Sequence, residues 1–462
     1  MLTRIRETFS DKNFLSRIWK IALPVTLQAI LNMLTNMVDT IMIGRLGENA
    51  VGAVGLAGKV FFIVSLITFG VVSGMDILIA QYWGVRDKKH IYQVVGIGLV
   101  FSVACSLIVA GASFFAPRAV MGIFTNSEIL KDIGAEYLKI VCLTYILQAV
   151  SNVFVAALRC TEIAKPSAFI SAVAIVTNVF FNWCMIFGHC GFAAMGVKGA
   201  AIATLIARAV ELILTLAAVK FTKSIFCTKL KNYFSIENAV LTQFIKTSGP
   251  VLFNEMLWGI GVTIPSLTYG RMGENASAAM TIVSTYQDIE VVGMKGLSEA
   301  AAVLMGMELG MGHTETAKKY EKKFTTLALM LSVVLMAFTL IIKNVYISIY
   351  DVQADTAAMI NSCMIAFAIT LLWRCDNNII YIGTLRAGGD TVACMLLDII
   401  PTWSINVLIV PLLGLKAMLP LWMVFIVSQM DELIKFVMGV KRVKQYKWLK
   451  NLNTELTAME HK

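Results

Sequence analysis

The sequence contains few charged residues for its length, because Asp, Glu, Lys and Arg make up only 15% of its 462 residues. A soluble protein of this length needs a more polar surface. The hydrophobic fraction of 58% and the mean hydropathy of +0.76 instead indicate a polytopic membrane protein. The nine cysteines include no CxxC pair, and the four histidines stand apart. These absences argue against a disulfide framework and a zinc site.

Sequence motifs of enzymes are missing as well. We find no phosphate-binding glycine loop and no nucleophile elbow, and paired carboxylates alone do not define an enzyme. A membrane-embedded enzyme that uses such carboxylates for acid/base chemistry is therefore a disfavoured alternative, as is a channel, and we expect a protein that is not an enzyme. We also expect no cleaved signal peptide, because the basic N-terminus has no short apolar core followed by small residues.

Long apolar runs occupy most of the chain. Each is long enough to span a bilayer as a helix, so the sequence predicts an all-α membrane protein with twelve transmembrane helices. The runs lie near residues 16–43, 52–80, 92–115, 134–157, 168–188, 197–219, 240–269, 277–308, 325–342, 358–384, 392–413 and 419–439.

The net charge of +10 arises from basic residues in alternate short loops. That distribution follows the positive-inside rule, so we expect no nucleic-acid partner. It places both termini in the cytoplasm and makes the protein a multi-pass protein of the cell membrane. The loops of the basic set hold Arg86, Lys88, Lys89, Arg159, Lys165, Lys220, Lys223, Lys229, Lys231, Lys318, Lys319, Lys322, Lys323 and Arg386, and the tail adds Lys441, Arg442, Lys444, Lys447 and Lys450.

One stretch of the chain occurs twice. Residues 24–50 return as residues 250–276, with Pro24 matched by Pro250 and Arg45 by Arg271. Six helices in each half give the two copies the same orientation, as in transporters built from parallel repeats. We therefore predict two pseudo-symmetric six-helix lobes. The predicted boundaries are 1–219 for the N-lobe, 220–238 for a cytoplasmic linker, 239–440 for the C-lobe and 441–462 for a basic cytoplasmic tail.

The first apolar run contains a carboxylate, which insertion into a membrane makes costly unless it faces the protein interior or water. Asp39 lies six residues before Arg45, about 9 Å from the outer end of the helix. Thr204 has the same depth relative to Lys198. The carboxylate also belongs to a polar stripe with helical spacing, which comprises Gln28, Asn32, Thr35, Asn36 and Asp39.

Asn178 and Asn182 share a helix face, and Asn182 is about 25 Å from the inner end of its helix. Asp39, Asn182 and Thr204 are thus expected to meet in one layer that holds a sodium ion or a proton. The alternative is an interhelical hydrogen-bond cluster without a ligand.

The second half has two acids at equal depth. Glu255 and Asp376 are each about 14–15 Å from the cytoplasmic end of their helices. They are expected to bind a cation together, or one of them keeps a proton. In the alternative, Asp376 pairs with Arg374 or with Lys295.

The eighth apolar run is unusually charged. Asp288 and Glu290 point in different directions on a helix, so one is expected to face a cavity and the other a neighbouring helix. These charges either form ion pairs that hold the helices together or contact the substrate, and both interpretations stay open. Possible cavity residues are therefore Gln28, Asn32, Asn36, Asp288 and Glu290, and weaker candidates of the same kind are Lys59, Asp76 and Asp398.

With these residues placed, the chain resembles the multidrug and toxic compound extrusion (MATE) family, in its bacterial NorM-like branch, over nearly its whole length. The resemblance depends on Leu23-Pro24, Val38-Asp39-Thr40, Gly44-Arg45-Leu46-Gly47, Gln81, Gly84, Leu158-Arg159, Lys165-Pro166, Asn178, Asn182, Gly199-Ala200-Ala201, Ala203-Thr204, Pro250, Glu255, Asp376 and Leu385-Arg386-Ala387-Gly388-Gly389-Asp390-Thr391.

The resemblance implies a V-shaped antiporter that exports cationic or lipophilic compounds in exchange for sodium ions or protons, by alternating access of two lobes. It implies a first-lobe cation site at Asp39, Asn178, Asn182, Ala200 and Thr204. It further implies a second-lobe cation site at Glu255 and Asp376.

Two residues depart from the family pattern. Asn182 stands where the archaeal-type branch has an aspartate, and Leu372 where the NorM-like branch has a tyrosine. We expect no cofactor besides the coupling ion, and we expect membrane lipids and small organic cations as the partners of a monomer. The remaining alternative within transport is a flippase for lipid-linked precursors with an anionic headgroup.

Overall fold

The computed structural model describes residues 2–222, 224–350 and 352–460, so that Lys223 of the predicted linker and the last two tail residues lie outside the described chain. Within those residues every regular element is helical. The helices are α1 (Leu2–Ser10), α2 (Lys12–Gly44), α3 (Glu48–Gly84), α4 (Lys88–Phe115), α5 (Pro117–Gly122), α6 (Glu128–Cys160), α7 (Lys165–Phe187), α8 (Val197–Phe221), α9 (Leu230–Phe234), α10 (Asn238–Arg271), α11 (Glu274–Gly310), α12 (Thr314–Ser348), α13 (Ala354–Asn378), α14 (Thr391–Thr402), α15 (Leu421–Lys444) and α16 (Leu452–Glu460).

Nine helical segments of the described chain are long and apolar enough to cross a membrane. Three more long helices, α10, α11 and α15, contain several charged residues within their apolar length. Together they match the twelve predicted spans in number and order. The short helices α1, α5, α9 and α16 lie between or beyond them.

The repeated stretch has the same local structure in both copies. In each, a long helix ends at the Gly-Arg turn, and the next helix begins after a glycine in the left-handed region of φ. Gly47 has a φ of 106° and its counterpart Gly273 a φ of 124°. Residues with a Cβ rarely adopt these angles, which explains the glycine in both copies.

Residues 23–252 form one compact unit, in which α3, α4, α6, α7 and α8 pack together. The first part of α10 approaches α3 very closely at Gly70 and Gly74. A second cluster, around the buried Tyr145, joins α3, α4, α5 and α6. The side chains of α3, α4, α6, α7 and α8 therefore project from helices that are fixed by packing.

Residues 1–22 and 253–460 form the other unit, in which α11, α12, α13 and α15 pack together. Here α13 continues as a π-helix over Ile379–Arg386, and α14 continues as π-helical turns over Trp403–Ile409 and Leu412–Lys416. Pro401 precedes the second π-helix and cannot donate to the carbonyl of Leu397. The Tyr381 hydroxyl lies 3.4 Å from that carbonyl.

Contacts divide the chain close to the two repeated prolines. The division falls after residue 22, beside Pro24, and after residue 252, beside Pro250. The lobe boundaries at 219 and 239 are drawn from loops rather than from contacts, and they stay a prediction. The contact units differ from them in that residues 1–22 pack with the second half and 239–252 with the first.

Candidate functional site

The polar stripe of α2 is one face of a continuous helix. Asn32 and Asn36 are exposed, whereas Gln28 and Asp39 are half-buried. The middle of the stripe is therefore open, whereas its outer end, at Asp39, lies against another helix. The carboxylate is thus the point at which the stripe meets the packed part of the unit.

Asp39 forms a hydrogen-bonded chain with the two asparagines of α7. The Asn182 Nδ2 atom donates to the Asp39 Oδ1 atom at 2.5 Å and to the Asn178 Oδ1 atom at 3.1 Å. Both asparagines are only 1% exposed. The Asn182 Oδ1 atom has no hydrogen-bond partner among the described residues. The structure therefore brings together three of the five residues assigned to the first cation site.

Thr204 and Ala200 lie one turn apart on α8. The Thr204 hydroxyl donates to the Ala200 carbonyl at 2.9 Å and also hydrogen-bonds with Tyr137 of α6. The Ala200 side chain packs in a small core with Ile43 and Ile186. Ala200 thus helps to hold the end of α2 against α7 and α8, while Thr204 joins α8 to α6.

The same unit holds a buried ion pair that was not predicted from the sequence. Arg208 donates to Glu211 at 2.6 Å, and Glu211 is 5% exposed. The charge of Arg208 also acts on Asp39. The signal was present, because two opposite charges three residues apart inside the apolar run 197–219 are costly unless paired. The first site is therefore not purely acidic.

The structure gives Glu255 a partner that was not predicted from the sequence. The Arg386 guanidinium donates to the Glu255 carboxylate at 2.7 Å, and both side chains are buried. The Asp376 Oδ1 atom is buried with no hydrogen-bond partner in the described part of the chain. A cation shared by Glu255 and Asp376 stays a prediction, and it would have to compete with Arg386 for Glu255.

The two acids of α11 have different surroundings. Asp288 is exposed, whereas Glu290 is 3% exposed. The Glu290 Oε1 atom accepts hydrogen bonds from the hydroxyls of Tyr286, at 2.9 Å, and Thr339, at 3.1 Å. Glu290 accordingly faces α12, and Asp288 points away from the packed side of its helix.

A larger group of charges surrounds Lys435 of α15, whose side chain is 4% exposed. Its ammonium lies 2.9 Å from Asp398, 3.2 Å from Asp431 and 3.9 Å from Glu432. Asp398 was only a weak candidate from the sequence, and Lys435, Asp431 and Glu432 were not predicted. The missed signal is the spacing of Asp431 and Lys435, which places them on one face of α15.

Comparison with known proteins shows a consistent set of similarities. The MatE family model matches residues 24–184 and 250–412. The uncharacterized transporter YisQ of Bacillus subtilis is 23% identical over 443 residues, which cover 95% of this chain and 96% of YisQ. The probable multidrug resistance protein NorM of Thermotoga maritima is 24% identical over 389 residues, which cover 83% of this chain and 82% of NorM.

The solved structures show the same fold. A variant of the Vibrio cholerae MATE transporter VcmN superposes with a TM-score of 0.85 at 15% identity, covering 95% of this chain and 98% of VcmN. The predicted fold class, an all-α membrane protein with twelve transmembrane helices in two six-helix lobes, is thereby confirmed.

Proposed function

The chain belongs to the MatE family, the multidrug and toxic compound extrusion family of membrane transporters, and from this premise we propose that it exports organic cations in exchange for protons or sodium ions. It is a transporter and not an enzyme. We further propose that it acts as a monomer in the cell membrane, with both termini in the cytoplasm and with membrane lipids around it.

The observation that carries this proposal is the series of hydrogen bonds that joins Asp39, Asn182 and Asn178. A single carboxylate bonded to a buried amide is a site that a proton or a sodium ion can neutralise. The same carboxylate is reached along the open polar stripe at Asn32 and Asn36, so an organic cation can approach it from that side. Loading of the small ion on Asp39 would then remove the charge that attracts the organic cation.

Binding of the small ion and the organic cation at the same carboxylate is not sufficient for coupling. The small ion and the organic cation must favour different conformations, because a ligand with equal affinity for both states shifts neither. In the proposed cycle the ion loads from outside and displaces the organic cation. It is then released to the cytoplasm, where Asp39 again attracts a substrate.

Arg208 supports one second candidate. An arginine that acts on Asp39 makes this region less acidic, and a lipid-linked precursor with an anionic headgroup would use such a cation. Arg208 is, however, already paired with Glu211 at 2.6 Å. That pairing favours an organic cation as the substrate, and the anionic precursor remains the alternative to be tested.

Transport by proteoliposomes tests the proposal. We would load ethidium, a fluorescent organic cation, and impose a proton gradient or a sodium gradient separately. We expect one gradient to drive ethidium movement, and Asp39→Asn to reduce the driven rate by at least about tenfold, within the range of coupling free energies between two ligand sites.

Asp132→Asn is the matched control, because it makes the same chemical change at an exposed position of the same unit. It should transport like the wild type. Full coupled transport by Asp39→Asn would exclude Asp39 as the coupling residue. Movement of an anionic lipid precursor, without any movement of ethidium, would favour the flippase.

A further inference from the structure

The charges around Lys435 form one buried network in the second unit, which we call the Lys435 network. It comprises Lys435, Asp398, Asp431 and Glu432, and it is enclosed by α10, α13, α14 and α15. One ammonium faces three carboxylates here, and the side chains of Lys435 and Asp431 are only 4% and 7% exposed. Full ionisation would leave an excess of negative charge inside a membrane protein, which is costly.

The neighbouring charges do not remove this excess. The Glu255–Arg386 pair lies beside Asp398, and the charge of Arg374 acts on Asp431. With these residues included, there are four acids and three bases. The acids are Asp398, Asp431, Glu432 and Glu255, and the bases are Lys435, Arg386 and Arg374. The remaining titratable neighbours are Tyr381, whose hydroxyl donates to the Lys435 carbonyl at 3.0 Å, the thiol of Cys394, and Tyr269 of α10, which the charge of Asp431 reaches. One negative charge therefore lacks a compensating cation among the described residues.

Every carboxylate of the network has its own asparagine. The Nδ2 atoms of Asn254, Asn406 and Asn377 donate to Asp398 at 3.0 Å, to Asp431 at 2.9 Å and to Glu432 at 2.8 Å, respectively. All three asparagines are at least nine-tenths buried. Their Oδ1 atoms have no hydrogen-bond donor in the part of the chain that the structure describes. The network thus has spare acceptors, and what it lacks is a donor.

We propose that the Lys435 network is a second proton-binding site, at which one proton is shared among Asp398, Asp431 and Glu432. The proton cancels the excess negative charge and turns one carboxylate into a hydrogen-bond donor. The O–H bond formed at that carboxyl is broken when the proton is released to water. Its role in coupling rests on the proposed ion-driven transport, whereas its existence does not.

Asparagine suits this exchange because its amide both donates and accepts. Opposite an ionised carboxylate the amide presents its NH2 group, and opposite a protonated carboxyl a half-turn presents its carbonyl. Each acid–asparagine pair therefore keeps one hydrogen bond in both protonation states. Asp39 and Asn182 have the same arrangement, including an Asn182 Oδ1 atom without a partner in the described chain.

Carboxylate and amide oxygens also bind sodium, so the position of Lys435 decides between the two ions. Its ammonium already lies within 3.2 Å of two carboxylates and would repel a metal cation there. A proton adds to one carboxylate oxygen without displacing the ammonium. Lys435 then acts as a tethered cation that limits the negative charge left behind when the proton leaves.

Infrared spectroscopy of the full-length protein in liposomes tests the proposal without requiring transport. The C=O stretch of protonated carboxylic acids would be followed as the pH is raised from neutral to alkaline, a range in which exposed carboxyls stay ionised, in an Asp39→Asn/Asp376→Asn background that removes acids of the two predicted cation sites. We expect a band that disappears on alkalinisation. Adding Asp431→Asn should remove the part of the band that the Lys435 network contributes, because three acids would then face three bases.

Lys435→Gln should change the band in the opposite direction. Loss of the ammonium leaves a second uncompensated charge, so the part of the band that the network contributes should grow about twofold. A purely structural role for Lys435 predicts no such gain. Because this variant removes a buried cation, its folding is checked by size exclusion, and Asp398→Asn repeats the charge argument if it fails. Asp132→Asn should leave the band unchanged.

An unchanged band in both Asp431→Asn and Asp398→Asn would overturn the proposal. A band insensitive to pH but removed by sodium ions would also overturn it, in favour of a sodium site. Failure of the Asp39→Asn transport test leaves this measurement intact, since it records protons on the second unit. The two proposals can therefore fail separately.

Discussion

At the scale of single residues, the packing of α3 against α10 requires Gly74. A Cβ at this position would lie 2.4 Å from the Ser248 Cβ atom and 2.5 Å from its Cα atom, so the backbones would have to separate. We expect Gly74→Ala to lower the free energy of unfolding by about 1–3 kcal/mol, the usual cost of overpacking. Thermal unfolding of the purified protein in detergent measures the change.

Gly58 provides the matched control in the same helix. A Cβ there would meet nothing within 4 Å, and the position is exposed. Alanine has the better helix propensity, so Gly58→Ala should leave stability unchanged or raise it by up to about 1 kcal/mol. Equal effects of the two substitutions would show that helix propensity, and not the contact with Ser248, determines the response.

At the scale of elements, Asp11 both caps α2 and joins it to α12. Its Oδ1 atom accepts from the Phe14 N–H group at 3.0 Å, and its Oδ2 atom accepts from the Lys323 ammonium at 2.6 Å. Asp11→Ala removes both interactions and should destabilise the protein by about 1 kcal/mol, chiefly through the lost cap. Asp11→Asn keeps the cap and should cost less than about 0.5 kcal/mol.

The stability that Asp11 contributes at this junction depends on pH in a definite direction. The hydrogen bond from Lys323, with the backbone bond from Phe14, holds the pKa of Asp11 below its ordinary value of 3.8. The contribution of a carboxylate with a lowered pKa is complete above the ordinary value and is lost as the pH falls through the folded one. Protection of the backbone amides of residues 12–15 from hydrogen exchange should therefore be lost in Asp11→Ala at neutral pH and in the wild type only in acid. Unaltered protection in Asp11→Ala would contradict the capping role.

The positions of the helices could be predicted from the sequence more fully than the side-chain pairs that join them. Apolar length and the repeated turn at Gly47 and Gly273 sufficed for twelve spans, because both are local properties. The link from Asp39 to Asn182 followed from depth along two helices. The bond of Glu255 to Arg386 could not follow from depth, since helix rotation and the π-helix that ends at Arg386 decide which acid the guanidinium reaches. The same holds for the partners of Lys435.

At the scale of the whole molecule, the predicted sidedness can be tested with two native cysteines. Cys190, in the loop between α7 and α8, and Cys227, in the segment before α9, are both exposed thiols. The positive-inside distribution puts the first outside and the second in the cytoplasm. A membrane-impermeant maleimide should therefore label Cys190 in intact cells and Cys227 in inside-out vesicles.

Serine variants separate the two signals without changing size. Cys190→Ser should lose most labelling in intact cells and keep it in inside-out vesicles, whereas Cys227→Ser should do the reverse. Most of the other described cysteines are buried and contribute little to either signal, so they need no replacement. The opposite pattern would place the basic loops outside. The proton in the proposed exchange would then have to load at the end of Asp39's helix that faces the cytoplasm, and the direction of transport would reverse with it.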